Sequence, residues 1–177
     1  MEKKVAILTE EGFEEVELTS PKKALEAQGY QVDIISPNEK PAIKSWNHTD
    51  WGSEFPVDKH ISVADAQEYA ALILPGGVIN PDKLRVSEES IQFVNRFIDD
   101  GKLIAAICHG PLLLTENGFI NNKRATSVKN IRTDLIHAGA QWEDSEVVMD
   151  NQLITSRTPD DLDAFNQAIV THLQVNN

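Results

Sequence analysis

The stretch L-I-A-A-I-C-H-G-P-L-L-L at residues 103–114 constrains the fold more than any other part of the chain. A five-residue apolar run, too short for a helix and long enough for a buried strand, stops at Cys108, the only cysteine. His109-Gly110-Pro111 follows, and then a second apolar run reads as a helix. A buried strand that breaks at a nucleophile and turns at once into a helix is the sequence form of a nucleophile elbow, here with a thiol in place of a hydroxyl. A lone cysteine after an apolar strand also reads as a small buried hydrophobe. The surrounding chain decides how much weight the elbow carries.

The elbow requires a parallel sheet, and the rest of the chain supplies one. Residues 4–9 and 69–74 are further continuous apolar runs, as expected of strands covered on both faces. Residues 30–36 form a second strand after a helix that starts at Thr19-Ser20-Pro21 and ends at Gly29. Residues 87–100 read as an amphipathic helix with Ile91, Val94, Phe97 and Ile98 on one face and Gly101 as its stop. Helical segments are expected at 111–116 and 129–138. Strands are expected at 146–149 and 152–156 around an Asp150-Asn151 turn, and a final helix starts at Thr158-Pro159. Residues 37–59 are irregular and read as a hairpin or an excursion from the sheet. Strands alternating with helices give one α/β domain over residues 1–177, a sandwich with helices on both faces of a mostly parallel sheet.

Charge and composition narrow the function. A net charge of −12 over 177 residues argues against nucleic acid and against anionic membrane surfaces as partners. No run approaches the roughly 18 apolar residues of a membrane span. Met1-Glu2-Lys3-Lys4 leads into a strand without a signal-peptide pattern, and a single cysteine allows neither an internal disulfide nor a cysteine-rich metal site. The expected compartment is the cytoplasm, and no cofactor or metal is expected.

In open α/β sheets the working groups gather at the carboxyl ends of the strands. Three ends are chemically equipped. The first delivers Glu10, Glu11, Glu14, Glu15 and Glu17; the strand at 69–74 delivers Gly76 and Gly77; the strand at 103–107 delivers Cys108 and His109. A thiol reacts as its thiolate, so it needs a helix N-terminus, an imidazole or both. His109 is the nearest imidazole in sequence. The amides of His109 and Gly77 are candidate oxyanion donors. Which of the five glutamates is involved does not follow from the residues themselves.

These pieces resemble the PfpI/ThiJ family of the class I glutamine-amidotransferase-like superfamily. The resemblance rests on F-E-E-V-E at 13–17, L-P-G-G at 74–77, A-I-C-H-G-P at 106–111 and T-S-R-T-P-D-D-L at 155–162, in order along nearly the whole chain. It implies a flavodoxin-like fold with Cys108 as nucleophile and His109 as the neighbouring base. It also implies that Glu14 has its carboxyl beside the thiol, and that Asp82 orients the histidine of a neighbouring subunit in trans. A homodimer or higher homo-oligomer is implied as well. The family's chemistry implies a stress-related enzyme acting on a small aldehyde or a glycated or peptide substrate, as glyoxalase, deglycase or intracellular peptidase. The same thiol also suits a redox-sensing or chaperone-like stress protein without turnover. The clearest departure from the family is the aromatic segment K-S-W-N-H-T-D-W-G-S-E-F-P-V-D at 44–58, where many relatives have a short glycine-rich hairpin. This segment is expected to cover the site or a subunit interface. Its His48 and Asp50 are too few for a metal site. His60, His137 and His172 are expected to be structural or solvent-facing.

Overall fold

The computed structural model describes residues 4–176. Residues 1–3, read above for a signal pattern, lie outside the described residues. In chain order the strands are β1 (Lys4–Leu8), β2 (Gln31–Ser36), β3 (Ala42–Asn47), β4 (Asp50–Pro56), β5 (Lys59–His60), β6 (Ala71–Leu74), β7 (Leu103–Ile107), β8 (Arg124–Ala125), β9 (Gln141–Trp142), β10 (Val147–Asp150) and β11 (Leu153–Ser156). The helices are α1 (Glu15–Ala27), α2 (Ile79–Leu84), α3 (Glu88–Asp99), α4 (Leu113–Glu116), α5 (Arg132–His137) and α6 (Leu162–Val175).

The main sheet runs β10-β11-β7-β6-β1-β2-β5, with every pairing parallel except the β10–β11 hairpin. Its central strands β6 and β7, and β1 beyond Lys4, are apolar throughout because each face meets helices. Alternate residues separate cleanly. Val5, Ile7, Ile73, Ala105 and Ile107 pack with Leu18 and Leu25 of α1 and with Phe165 and Ile169 of α6. Ala6, Leu8, Leu72, Leu74, Ile104 and Ala106 pack with Phe93, Val94 and Phe97 of α3 and with Leu135 of α5. Each fully buried side chain of this size contributes about 2 kcal/mol. The expected doubly covered, mostly parallel α/β sandwich is therefore observed.

Local readings differ from the structure in three places. On α3 the buried face is Ser90, Phe93, Val94 and Phe97, with Ile91 and Ile98 only partly covered. Helix α1 starts at Glu15, six residues before the expected proline start, so Pro21 lies inside it. Proline there removes one helical donor, that for the Glu17 carbonyl, and the buried face Glu17, Leu18, Pro21 and Leu25 compensates by packing. After the elbow the expected helix is short: a 3-10 turn over Gly110–Leu112 and then the four residues of α4. The irregular segment forms the β3–β4 hairpin, an antiparallel pair outside the main sheet, with a bulge between Lys44 and Trp46. Among the described residues no helix is long and apolar enough to cross a membrane.

Candidate active site

The order β11-β7-β6-β1 sets four carboxyl ends side by side: Pro159 beyond β11, Cys108 at the end of β7, Gly76-Gly77 after β6, and residues 12–17 after β1. A cavity of about 410 Å³ opens there. Cys108, His109, Glu17 and Gly77 line it on the sheet side, with Glu14, Trp46 and His48 from the α1 start and the hairpin, and Val78, Ile79 and Pro159 as apolar walls.

Cys108 adopts a left-handed backbone, φ 62°. This conformation strains a residue with a Cβ and persists only where the surroundings fix it. Here the Cys108 N–H donates to the Ser156 carbonyl at 3.2 Å, and its carbonyl accepts from Val128 N at 3.1 Å. The turn aims the sulfur into the cavity. The backbone N–H groups of Gly77 and His109 lie beside it and pull its pKa down. Gly77 makes this possible with φ 76° and a backbone so close to the Gly12 carbonyl that a Cβ would lie 2.6 Å from that oxygen. With so short a helix behind the elbow, these two amides take the place of the expected helix N-terminus.

The carboxyl beside the thiol belongs to Glu17, not to Glu14 as the resemblance implied. Glu17 is fully buried, accepts the Gly76 N–H at 2.7 Å through Oε2, and lies beside the Cys108 thiol, close enough for each group to shift the other's titration. Its Oε1 has no hydrogen-bond partner among the described residues. Burial, reinforced by the charge of Glu14, pushes Glu17 up to about 7 against the pull of the Gly76 amide and the Cys108 thiol. Burial and the Glu17 charge likewise push the Cys108 thiol up, with the Gly77 and His109 amides pulling the other way. A buried carboxyl and thiol in contact do not both ionise, so the pair keeps at least one proton through neutral pH and sheds the other near 7.

The other two acids of F-E-E-V-E do different work. Glu15 Oε2 accepts from Ser45 Oγ at 2.6 Å and Ser53 N at 2.9 Å, which clamps the hairpin to α1 and holds the Glu15 carboxyl below the usual range. Glu14 lines the cavity but turns to the hairpin: Oε1 accepts the His48 N–H at 3.1 Å and lies 3.3 Å from His48 Nδ1. His48 is thus partnered by Glu14 and not by Asp50, whose Oδ1 accepts the Trp51 N–H. The aromatic segment covers the site as expected, with Trp46 and Trp51 in edge contact at 5.5 Å.

His109 reaches the thiol, its Nδ1 3.3 Å from Sγ, and burial lowers its pKa so that the ring stays neutral near pH 7. Asp82 is exposed on α2 and does not line the cavity of its own chain. His60 caps a 3-10 turn through Ser62, and His137 is exposed. No group of three or more metal-ligating side chains gathers among the described residues. Glu17 and His48 are site residues that the sequence brings forward only as one of five glutamates and as half of an incomplete ligand pair. A signal for Glu17 was present: it lies four residues before Pro21 and eight before Leu25, on their buried stripe. For the pairing of His48 with Glu14 there was none, since the two are 34 residues apart.

A model of the DJ-1/PfpI family matches residues 3–172. The chain is 41% identical over 167 residues to the Bacillus subtilis protein named "Putative cysteine protease YraA", covering 94% of this chain and 96% of that one. It is 42% identical over 168 residues to protein/nucleic acid deglycase 2 of Escherichia coli, covering 94% and 95%. To general stress protein 18 of B. subtilis it is 38% identical over 175 residues, covering 98% and 99%. Among solved structures, a two-domain protein of Anabaena variabilis containing DJ-1/ThiJ/PfpI-like and ferritin-like domains gives a TM-score of 0.91 at 36% identity. That alignment covers 97% of this chain and 48% of the other, so the chain spans about half the length of the two-domain protein.

Proposed function

Because the chain belongs to the DJ-1/PfpI family, we propose that it is a stress-related, cysteine-dependent enzyme that acts on reactive carbonyls. The observation that carries this reading is the left-handed Cys108 that aims its sulfur into the cavity, with His109 Nδ1 at 3.3 Å and the buried Glu17 carboxyl and the Gly77 and His109 amides beside it. In the Cys108–Glu17 pair the thiol proton passes to Glu17, which leaves a thiolate steadied by the Gly77 and His109 N–H groups. The thiolate adds to an aldehyde carbon. The oxygen that becomes negative lies near the same amides and takes its proton from Glu17. The neutral His109 beside the sulfur accepts or returns the thiol proton as the pair recharges. Relatives named deglycase and cysteine protease fit one nucleophile put to different carbonyls. The cavity, walled by the Trp46–Trp51 hairpin and about 410 Å³ in volume, favours a small carbonyl over an extended peptide. We place the reaction in the cytoplasm and the chain in a homo-oligomer, in which Asp82 stands free to face a neighbouring copy.

The test is consumption of methylglyoxal and release of lactate in the absence of glutathione. The wild type is expected to turn over, and Cys108→Ser to lose at least about a hundredfold in rate. Equal rates in the two proteins would overturn the assignment.

A further inference from the structure

An imidazole that serves as general base must reach the substrate and is best held in one orientation by a third group. The cavity has two imidazoles, and they are held differently. His109 sits against the sulfur, and among the described residues no carboxylate meets its ring; burial alone shifts it. His48 is held at three points. Its ring Nδ1 and its backbone N–H both meet Oε1 of Glu14, a carboxylate only 8% exposed. Its carbonyl accepts the Trp46 indole N–H at 2.9 Å, and the Trp46 N–H donates to the Phe13 carbonyl at 2.7 Å. Residue 48 has a left-handed backbone, φ 56°, and in that conformation its ring and its amide meet the same oxygen. With Nδ1 committed to Glu14, Nε2 is the nitrogen left for a bound molecule.

We propose that His48, oriented by Glu14, is the base that moves protons on the substrate carbons, and that His109 serves the thiol. The assignment rests on the carbonyl reading given above and applies it to α-oxoaldehydes. Addition of the Cys108 sulfur to the aldehyde carbon forms the C–S bond, and the carbonyl pair becomes a hydroxyl with the proton from Glu17. His48 removes the hydrogen of that carbon, and the released electron pair forms the carbon–carbon double bond of an enediolate as the π pair of the second carbonyl moves onto its oxygen. His48 returns the proton to the adjacent carbon while the hydroxyl proton passes from the first oxygen to the second. The first carbon is thereby oxidised to a thioester and the second reduced to an alcohol, with no outside oxidant. Water, deprotonated by His48, adds to the thioester; the C–S bond breaks with its electron pair on sulfur. The proton returns to the Cys108–Glu17 pair, and a 2-hydroxy acid leaves.

The variant of choice is His48→Asn, because asparagine accepts the left-handed backbone at residue 48. Three quantities are read: lactate formed from methylglyoxal, the mass of Cys108 adducts after quenching, and the rate of Cys108 alkylation by iodoacetamide. His48→Asn is expected to lose about a hundredfold or more in kcat with KM little changed, and to accumulate the Cys108 adduct. It is expected to alkylate at the wild-type rate and to regain part of kcat when imidazole is added, since His48 is 68% exposed. Glu14→Gln is expected to lower kcat in the same direction and less far. Wild-type turnover in His48→Asn overturns the assignment and leaves the carbonyl reading standing. A loss of kcat that comes with lost alkylation also overturns it, because the residue then acts only on structure. A wild type that makes neither lactate nor adduct overturns the carbonyl reading, and this assignment with it.

Discussion

Gly76 shows how little room the thiol site leaves at the scale of single residues. A methyl group at position 76 would lie 2.6 Å from Cys108 Cβ, 2.7 Å from Glu17 Oε2 and 2.8 Å from the Ile107 carbonyl. None of these can retreat cheaply, since two belong to the reactive pair and one to the backbone of β7. Gly76→Ala is therefore expected to cost about 1–3 kcal/mol of stability and to slow Cys108 alkylation, read by denaturant titration and by thiol labelling of the same sample. An unchanged alkylation rate would show that the pair is not held as tightly as the distances require. The three neighbouring acids of F-E-E-V-E make the same point about legibility. Glu14, Glu15 and Glu17 are chemically alike in the sequence, yet one turns to His48, one to Ser45 and Ser53, and one to Gly76 and Cys108. Family likeness led to Glu14. The helix register, which depends on where α1 begins, decides for Glu17.

At the scale of elements, the β3–β4 hairpin is a wall attached by few bonds. Gly12 N donates to the Lys44 carbonyl, Trp46 N to the Phe13 carbonyl, and Glu15 receives Ser45 and Ser53. Glu15→Gln keeps an acceptor but removes the charge, and is expected to weaken this attachment by about 1 kcal/mol. Amide hydrogen exchange within residues 42–56 should then speed up roughly fivefold, with the main sheet unaffected. No change confined to that segment would contradict the clamp. The family resemblance marked this segment as a departure and raised the expectation that it covers the site or a subunit interface. Its anchorage was not visible in the sequence, because each bond joins residues about 30 or more positions apart. Helix α1 was misplaced for a local reason: Thr19-Ser20-Pro21 has the chemistry of a helix start, but tertiary packing of Glu17, Leu18 and Leu25 carries the helix back to Glu15. By contrast, strands β1, β6 and β7 were legible because burial on both faces leaves only apolar residues to choose from.

For the whole molecule, the sheet order brings four strand ends together around a single shared proton, and that proton couples the site to global stability. Glu17 ionises at its ordinary 4.5 in the unfolded chain and near 7 in the folded one. The folded state therefore holds an extra proton between those values. Stability contributed by this group is complete below pH 4.5 and is lost as pH rises through about 7, by about 3 kcal/mol. His109 acts in the opposite sense: its lowered pKa makes stability fall as pH drops below 6.5. The two are separated by Glu17→Gln, whose stability relative to wild type is expected to rise by about 3 kcal/mol between pH 4.5 and pH 8 in denaturant titrations. A difference independent of pH would contradict the raised carboxyl. The overall architecture could be read from the alternation of strands and helices, whereas the proton-sharing contact could not, since it joins Glu17 on α1 to Cys108 after β7. The most direct test of that contact is the rate of Cys108 alkylation against pH in wild type and Glu17→Gln. The shared proton predicts a wild-type inflection near pH 7 that moves upward by at least about one unit when the carboxyl is replaced; the same inflection in both proteins would contradict it.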